Sequence, residues 1–247
     1  AGPSGTWPSL AEEIGGGPQT GPPNPGPGGY DATATFNAAT GVNVTVDSNR
    51  KIGNLAFDVS DYTLIGGGVL SLDATTTPAI SVTSGRTATI GASLGGTLGM
   101  EKTGTGKLVL TGIKSYTGGT TVSAGTLELA GASGGNSLIG GSLNISSGAT
   151  VAITSGDGTG FGWNNPVTST VVDGGTINAV SGAHLGFGSF ATMTLDNGGT
   201  VLGNWQWNGD AMLAFSSYGD STNTIGAGSV TLRGDAGANH TFTVNDG

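Results

Sequence analysis

Few side chains in this sequence are of types that do chemistry. Its 247 residues include no Cys, two His, seven Lys plus Arg and 16 Asp plus Glu, a net charge of −9. Without Cys, thiol catalysis, thiolate metal sites and disulfides are ruled out. Gly131-Ala132-Ser133-Gly134-Gly135 spells the G-x-S-x-G pattern of a hydrolase nucleophile elbow. That elbow needs a strand before it and a helix after it. No helical periodicity follows, and 50 glycines make a chance match expected, so the segment reads as a turn. His184 and His240 stand far apart in sequence, and neither belongs to an HExxH pattern. His184 aligns with Thr150 in an internal repeat and reads as an outward, solvated side chain.

The aspartates occur singly: Asp47, Asp58, Asp61, Asp73, Asp157, Asp173, Asp196, Asp210, Asp220, Asp235 and Asp246. Several flank Gly or Asn, the ordinary setting of a turn residue. Stacked in register, they would instead make a Ca2+ site or the carboxylate cluster of a polysaccharide-degrading enzyme. The GGxGxD nonapeptide and the EF-hand loop are both absent, so the turn reading is preferred and no cofactor is expected, with Ca2+ as the alternative. Arg233-Gly234-Asp235 spells a cell-attachment tripeptide, but a turn after Ser229–Leu232 is the default reading. Aromatic residues gather late, at Trp163 and Trp205-Gln206-Trp207, with Phe187, Phe190, Phe215 and Tyr218 nearby. A spacing of two puts Trp205 and Trp207 on one face of a strand. Core or interface packing is weighed first for Trp163, Trp205 and Trp207, and stacking on glycan rings second.

Composition narrows the partners. Seven scattered cations on a chain of net charge −9 do not suit a phosphate backbone, so nucleic acid is not expected. No apolar run approaches the roughly 18 residues of a membrane-spanning helix. Ala1-Gly2-Pro3-Ser4 reads as a mature N-terminus left after cleavage of a leader. With 35% apolar residues and 9% charged ones, the composition is not that of a disordered chain.

Two blocks divide the sequence. Residues 1–29 hold most of the nine prolines and are expected to form an extended Pro/Gly-rich arm, since Pro lacks the amide donor a central strand needs. Residues 30–247 carry short bursts of period-2 alternation bounded by Gly, Ser, Asn and Asp, which predict strands. Among them are 42–46, 107–110, 126–129, 142–145, 150–153, 192–195, 229–232 and 241–244. Gly140–Val151 realigns with Gly174–Leu185, 34 residues on, and looser copies begin at Gly198 and Gly226. An irregular period of about 24 to 34 residues falls in the range of solenoids. Each strand offers only two or three inward apolar side chains, enough for one side of a narrow coil, and stacked coils satisfy each other's backbones. The expected fold is all-β, a parallel β-helix over 30–247. The alternative is an antiparallel β-sandwich, supported by the hairpin dipeptides Asp157-Gly158, Asp173-Gly174, Asn197-Gly198 and Asn208-Gly209.

Residues 104–131 are more specific. Tyr116-Thr117-Gly118-Gly119-Thr120-Thr121-Val122, followed by Ala124-Gly125-Thr126-Leu127, resembles the autotransporter-associated β-strand repeat, also called the passenger-associated transport repeat. Tyr116, Gly118, Gly119, Gly125 and Leu127 form the core of the match, and Lys114 departs from it where the family usually has Asn. The resemblance implies a right-handed parallel β-helix outside a Gram-negative-type cell. It implies no single activity and carries over no catalytic residue, so no enzyme is expected.

The expected function is a secreted structural protein that assembles with copies of itself into an extracellular fibre or surface module. Low surface charge and faces rich in Thr, Ser, Asn and Gly favour such packing, and the arm could cover a neighbouring subunit. An adhesin or module binding surface glycans is the alternative. A polysaccharide-degrading enzyme ranks last, because the cations fall mostly in turns far apart in sequence.

Overall fold

In this computed structural model, alternation and glycine corners together wind the chain into a parallel β-solenoid. The structure describes residues 4–6, 33–37, 42–131, 138–156, 158–159, 166–180, 182–187, 191–208, 213–218, 222–233 and 243–246. Every described strand pair is parallel, which excludes the antiparallel sandwich.

Two long sheets and one short one make the walls. Among the described residues, sheet A has 11 strands and sheet B has 10, while sheet C has three. In sheet A the strands Val42–Thr45, Tyr62–Ile65, Thr87–Ile90, Lys107–Leu110, Thr126–Leu129, Thr150–Ile153, Thr176–Ala179 and Thr200–Asn208 stack in that order. Thr224–Arg233 pairs with the whole of Thr200–Asn208, and Leu185–Phe187 pairs with its second half. Sheet B interleaves with sheet A along the chain, from Thr33–Phe36 through Met100–Thr103 and Thr120–Val122 to Thr243–Asp246. Sheet C comprises Arg50–Ile52, Val69–Leu72 and Ser93–Gly95, extended by a single bridge between Leu94 and Lys114.

Period-2 alternation sorts the side chains. Lys107–Leu110, Thr126–Leu129, Thr150–Ile153 and Thr176–Ala179 all alternate half-buried with buried, the apolar residues inward. Each coil thus adds a thin layer of Leu, Ile and Val to one continuous core. Toward its N-terminal end the core is aromatic: the Phe36 and Phe57 rings stack 4.5 Å apart, with Tyr62 edge-on to Phe36 at 5.3 Å. Each such pair adds about 0.5–1.5 kcal/mol beyond its burial.

Asx side chains and glycines make the corners. Asn49, Asn54 and Asp61 each accept a backbone N–H from the following coil, of Val69, Ala79 and Thr87 respectively. The Asp–Gly and Asn–Gly dipeptides among the described residues turn the chain from one sheet into the next instead of doubling it back. Gly174 at φ 66° and Asn197 at φ 48° occupy the left-handed region at two such corners.

The internal repeat also resolves differently. Gly141–Ile145 lies in sheet B and Thr176–Ala179 in sheet A, so the 34-residue alignment compares two different walls. The coil repeat is shorter: Thr176 pairs with Thr150 and Thr200 with Thr176. The misalignment arose because Gly–Gly precedes strands of both walls. His184 therefore does not correspond to Thr150. It sits half-buried beyond the Thr176–Ala179 strand, its backbone N–H bonded to the carbonyl of Gly156.

From the arm, Ser4–Thr6 forms an edge strand paired with Asn43–Thr45. An edge is where a proline-rich segment can join a sheet.

Candidate functional site

Residues 100–129 form somewhat more than one coil: Met100–Thr103 in sheet B, Lys107–Leu110 in sheet A, a corner, Thr120–Val122 in sheet B and Thr126–Leu129 in sheet A. The corner carries the family motif. Tyr116 is fully buried, and its hydroxyl lies 2.6 Å from Thr120 Oγ1, which is also buried. Burial pushes the Tyr116 phenol far above its ordinary range, partly offset by the bond to Thr120. Leu127 is a fully buried core residue.

The motif glycines stand where neighbouring coils touch backbone to backbone. A Cβ on Gly118 would run into the backbone nitrogen of Gly99. Gly119 turns the chain at φ +86°, and Gly125 does so at φ +67°, where a Cβ would lie 2.5 Å from the Gly106 carbonyl oxygen. No L side chain fits these positions without displacing a neighbouring coil, the preceding one at Gly118 and Gly125 and the following one at Gly119.

Two lysines enter the core here, correcting the expectation that the cations sit in turns. Lys102 is completely buried, in phase with inward Met100 on the same strand. Its Nζ donates to the carbonyl oxygens of Thr103 at 2.8 Å, Gly104 at 2.7 Å and Ala124 at 3.1 Å, one acceptor for each ammonium proton. Lys114, 2% exposed, donates to Ala92 O at 2.8 Å and Ile90 O at 3.3 Å, both on the preceding coil. Burial lowers Lys102 to about 8 and Lys114 to about 7. At the position where the family usually carries Asn, Lys114 satisfies two backbone carbonyls at a corner. The alternation that buries Met100 was the sequence signal for Lys102; Lys114 lies in no strand, and no periodicity announced it.

Outside, charged groups tie adjacent coils together. Lys107 Nζ lies 3.0 Å from Glu128 Oε2, and Thr154 Oγ1 donates to Glu128 Oε1 at 3.0 Å. Ser123 Oγ donates to Glu101 Oε1. Asp73 pairs with Lys51 at 2.8 Å and Asp173 accepts from Asn197 Nδ2 at 2.7 Å, while Asp47 pairs with Arg50 within one coil, also at 2.8 Å. Among the described residues, no three of His, Asp and Glu are grouped so as to hold a metal ion.

The tryptophans part company. Trp205 is 2% exposed, in register with Leu185, and is a core side chain, so its ring presents no stacking surface to a glycan. Trp207 lies two residues on in the same strand, opposite Phe187. Trp163, Ser133, His240, Asp157, Asp210, Asp220 and Asp235 lie outside the described residues.

Comparison with known proteins agrees with this geometry. Residues 100–129 match the family model described as the passenger-associated-transport-repeat. Over 198 residues the chain is 30% identical to the adhesin BmaC autotransporter of Brucella suis biovar 1 (strain 1330), an alignment covering 76% of this chain. The chain spans 5% of that relative's length. No solved structure matches it. The stacked coil of residues 100–129, with Tyr116 inside and Gly118, Gly119 and Gly125 at its corners, is a passenger-associated transport repeat, set within a β-solenoid whose sequence is similar to an autotransporter adhesin.

Proposed function

We propose that this chain is a structural segment of a secreted or cell-surface bacterial passenger, a rigid solenoid that associates with copies of itself. The observation that carries this reading is the unbroken parallel pairing of sheets A and B, in which every coil serves as the bonding edge for the next. Membership among passenger repeats supports placement outside a Gram-negative-type cell. The buried lysines are spent on backbone carbonyls, which supports a non-enzymatic role. The edge pairing of Ser4–Thr6 with Asn43–Thr45 offers a route to assembly, because the same strand donated by a neighbouring copy would make identical bonds.

Negative-stain electron microscopy over a concentration series, with Ca2+ and with EDTA, tests the reading. Regular assemblies in both conditions are expected, and they should be lost when residues 1–29 are deleted if the arm is exchanged. Discrete single solenoids at every concentration would overturn self-association. Assembly only with Ca2+ would assign the aspartates to metal bridges between copies.

A second reading, a glycan-binding module, draws on the adhesin relative and on Trp163 and Trp207. Retention on immobilised glycans that survives Trp163→Ala/Trp207→Ala would count against it.

A further inference from the structure

Among the described residues, Asn197 is the one non-glycine with positive φ, at φ 48°. It turns the chain from sheet B to sheet A, between Ala191–Asp196 and Thr200–Asn208. Asn197 is exposed, and Gly198 follows it. An Asn–Gly pair carries chemistry of its own, because asparagine is thermolabile and glycine has no Cβ to shield its backbone nitrogen. That nitrogen can bond to Cγ of the preceding carboxamide. The Cγ–Nδ2 bond then breaks, and the proton of the attacking amide departs with the leaving group as ammonia. Water opens the resulting succinimide at either carbonyl, giving aspartate or isoaspartate.

Both partners in that attack are held by neighbouring coils. Asn197 Nδ2 donates to Asp173 Oδ1 on the preceding coil at 2.7 Å. The Gly198 N–H donates to Asn223 Oδ1 at 3.0 Å, and the Gly199 N–H donates to the same oxygen at 2.9 Å. Asn223 belongs to the following coil, just before Thr224–Arg233, and its own Nδ2 donates to the carbonyl of Leu195 at 3.2 Å. At the Asp173–Gly174 corner one coil earlier, the corresponding amide is held by a backbone carbonyl, that of Asp196, at 2.9 Å. At Gly198 the restraint is a side chain, and it opens with its coil.

We propose that Asn197 is a site of spontaneous deamidation gated by Asn223. While the following coil is seated, the attacking nitrogen is pinned. When that coil lifts, the nitrogen is freed and conversion follows. Coils of a solenoid contact only their neighbours, so one can open while the rest stays folded. The product keeps a record of the opening. A carboxylate replaces the amide that donated to Asp173, beside the register partners Asp173 and Asp196, and like charges hinder reclosure.

Peptide mapping by mass spectrometry provides the test, on the 247-residue chain incubated at neutral and mildly alkaline pH. Conversion at Asn197 should be slow in the folded chain and about tenfold or more faster in Asn223→Ala, which removes the acceptor of both glycine amides. Asn223→Asp keeps an oxygen for those amides and should stay near the unmodified rate. Asn197→Gly fits the corner without strain and should abolish the signal. Circular dichroism checks that each variant folds, and Asn223→Leu replaces Asn223→Ala if the latter does not. Equal rates in Asn223→Ala and the unmodified chain would overturn the gate. So would a folded unmodified chain that converts as fast as the same chain in denaturant. Asn197→Asp, the unrearranged product, should lower the thermal midpoint, and an unchanged midpoint would overturn the hindered reclosure.

Discussion

The ammonium nitrogen of Lys102 lies 3.1 Å from the carbonyl oxygen of Ala124, so a charged side chain joins two successive coils through the interior of the solenoid. With Thr103 and Gly104 as its other acceptors, the group is fully satisfied. Buried polar groups become costly when they lose partners, because the orphaned acceptors cannot recover water. Lys102→Ala should therefore destabilise the chain by about 2–4 kcal/mol, through three unpaired carbonyls and a cavity. Thermal unfolding followed by circular dichroism reads this directly. A midpoint equal to that of the unmodified chain would show the cage to be dispensable.

Lys114 should make stability depend on pH. Burial holds it at about 7, and Lys102 at about 8, against 10.5 for an ordinary lysine. Below about pH 7 folded and unfolded chains are both protonated, and the cost of burying charge is fully expressed. Between those folded values and 10.5 the unfolded chain binds more protons than the folded one, so stability rises with pH. The thermal midpoint should climb from about pH 6 to about pH 9, and Lys114→Met should flatten the climb. Identical pH profiles for the two proteins would rule out this linkage.

Gly125 and Gly85 share nearly the same backbone conformation, φ +67° and φ +73°, but not the same surroundings. Nothing lies within 4 Å of a Cβ placed on Gly85, whereas one on Gly125 meets the Gly106 carbonyl. Gly85→Ala should cost only backbone strain, about 1 kcal/mol. Gly125→Ala adds a collision and should cost about 2–3 kcal/mol or more. Denaturant midpoints of the two variants check the order, and equal losses would mean that the coils shift apart freely.

Tyr116 separates packing from hydrogen bonding. Tyr116→Phe removes the 2.6 Å contact with Thr120 and should cost about 1 kcal/mol, while Tyr116→Ala should cost about 3–5 kcal/mol. A Phe variant as unstable as the Ala variant would mean that the hydroxyl, not the ring, anchors the corner.

Local strand chemistry was legible in the sequence. Lys107–Leu110, Thr126–Leu129 and Thr150–Ile153 match their expected bounds, because alternation and glycine corners are local signals. Register was harder to read. Two walls built from similar Gly–Gly–Thr/Ser openings let the repeat beginning at Gly140 align with the wrong wall. Residue type misled at Lys102 and Lys114, since charge suggests a turn unless the carbonyls awaiting it can be seen. For Trp205 the sequence left core or interface packing ahead of glycan stacking without deciding between them, because a spacing of two fixes which residues share a face without saying which way that face points. The alignment of Thr126, Thr150, Thr176 and Thr200 on successive coils needed register before it could exist at all: these residues are scattered through the sequence and become neighbours only when the coils stack.

Side-chain hydrogen bonds between coils join residues 20 to 28 positions apart, from Asn49–Val69 to Leu195–Asn223. Each coil thus answers only to the one before it and the one after. Adding or removing a whole coil would move the two ends by one rung, about 4.7–4.9 Å, and leave every other contact as it was. Such a molecule is a ruler: its reach is set by how many repeats the gene carries, and evolution can adjust that reach in steps without redesigning the instrument.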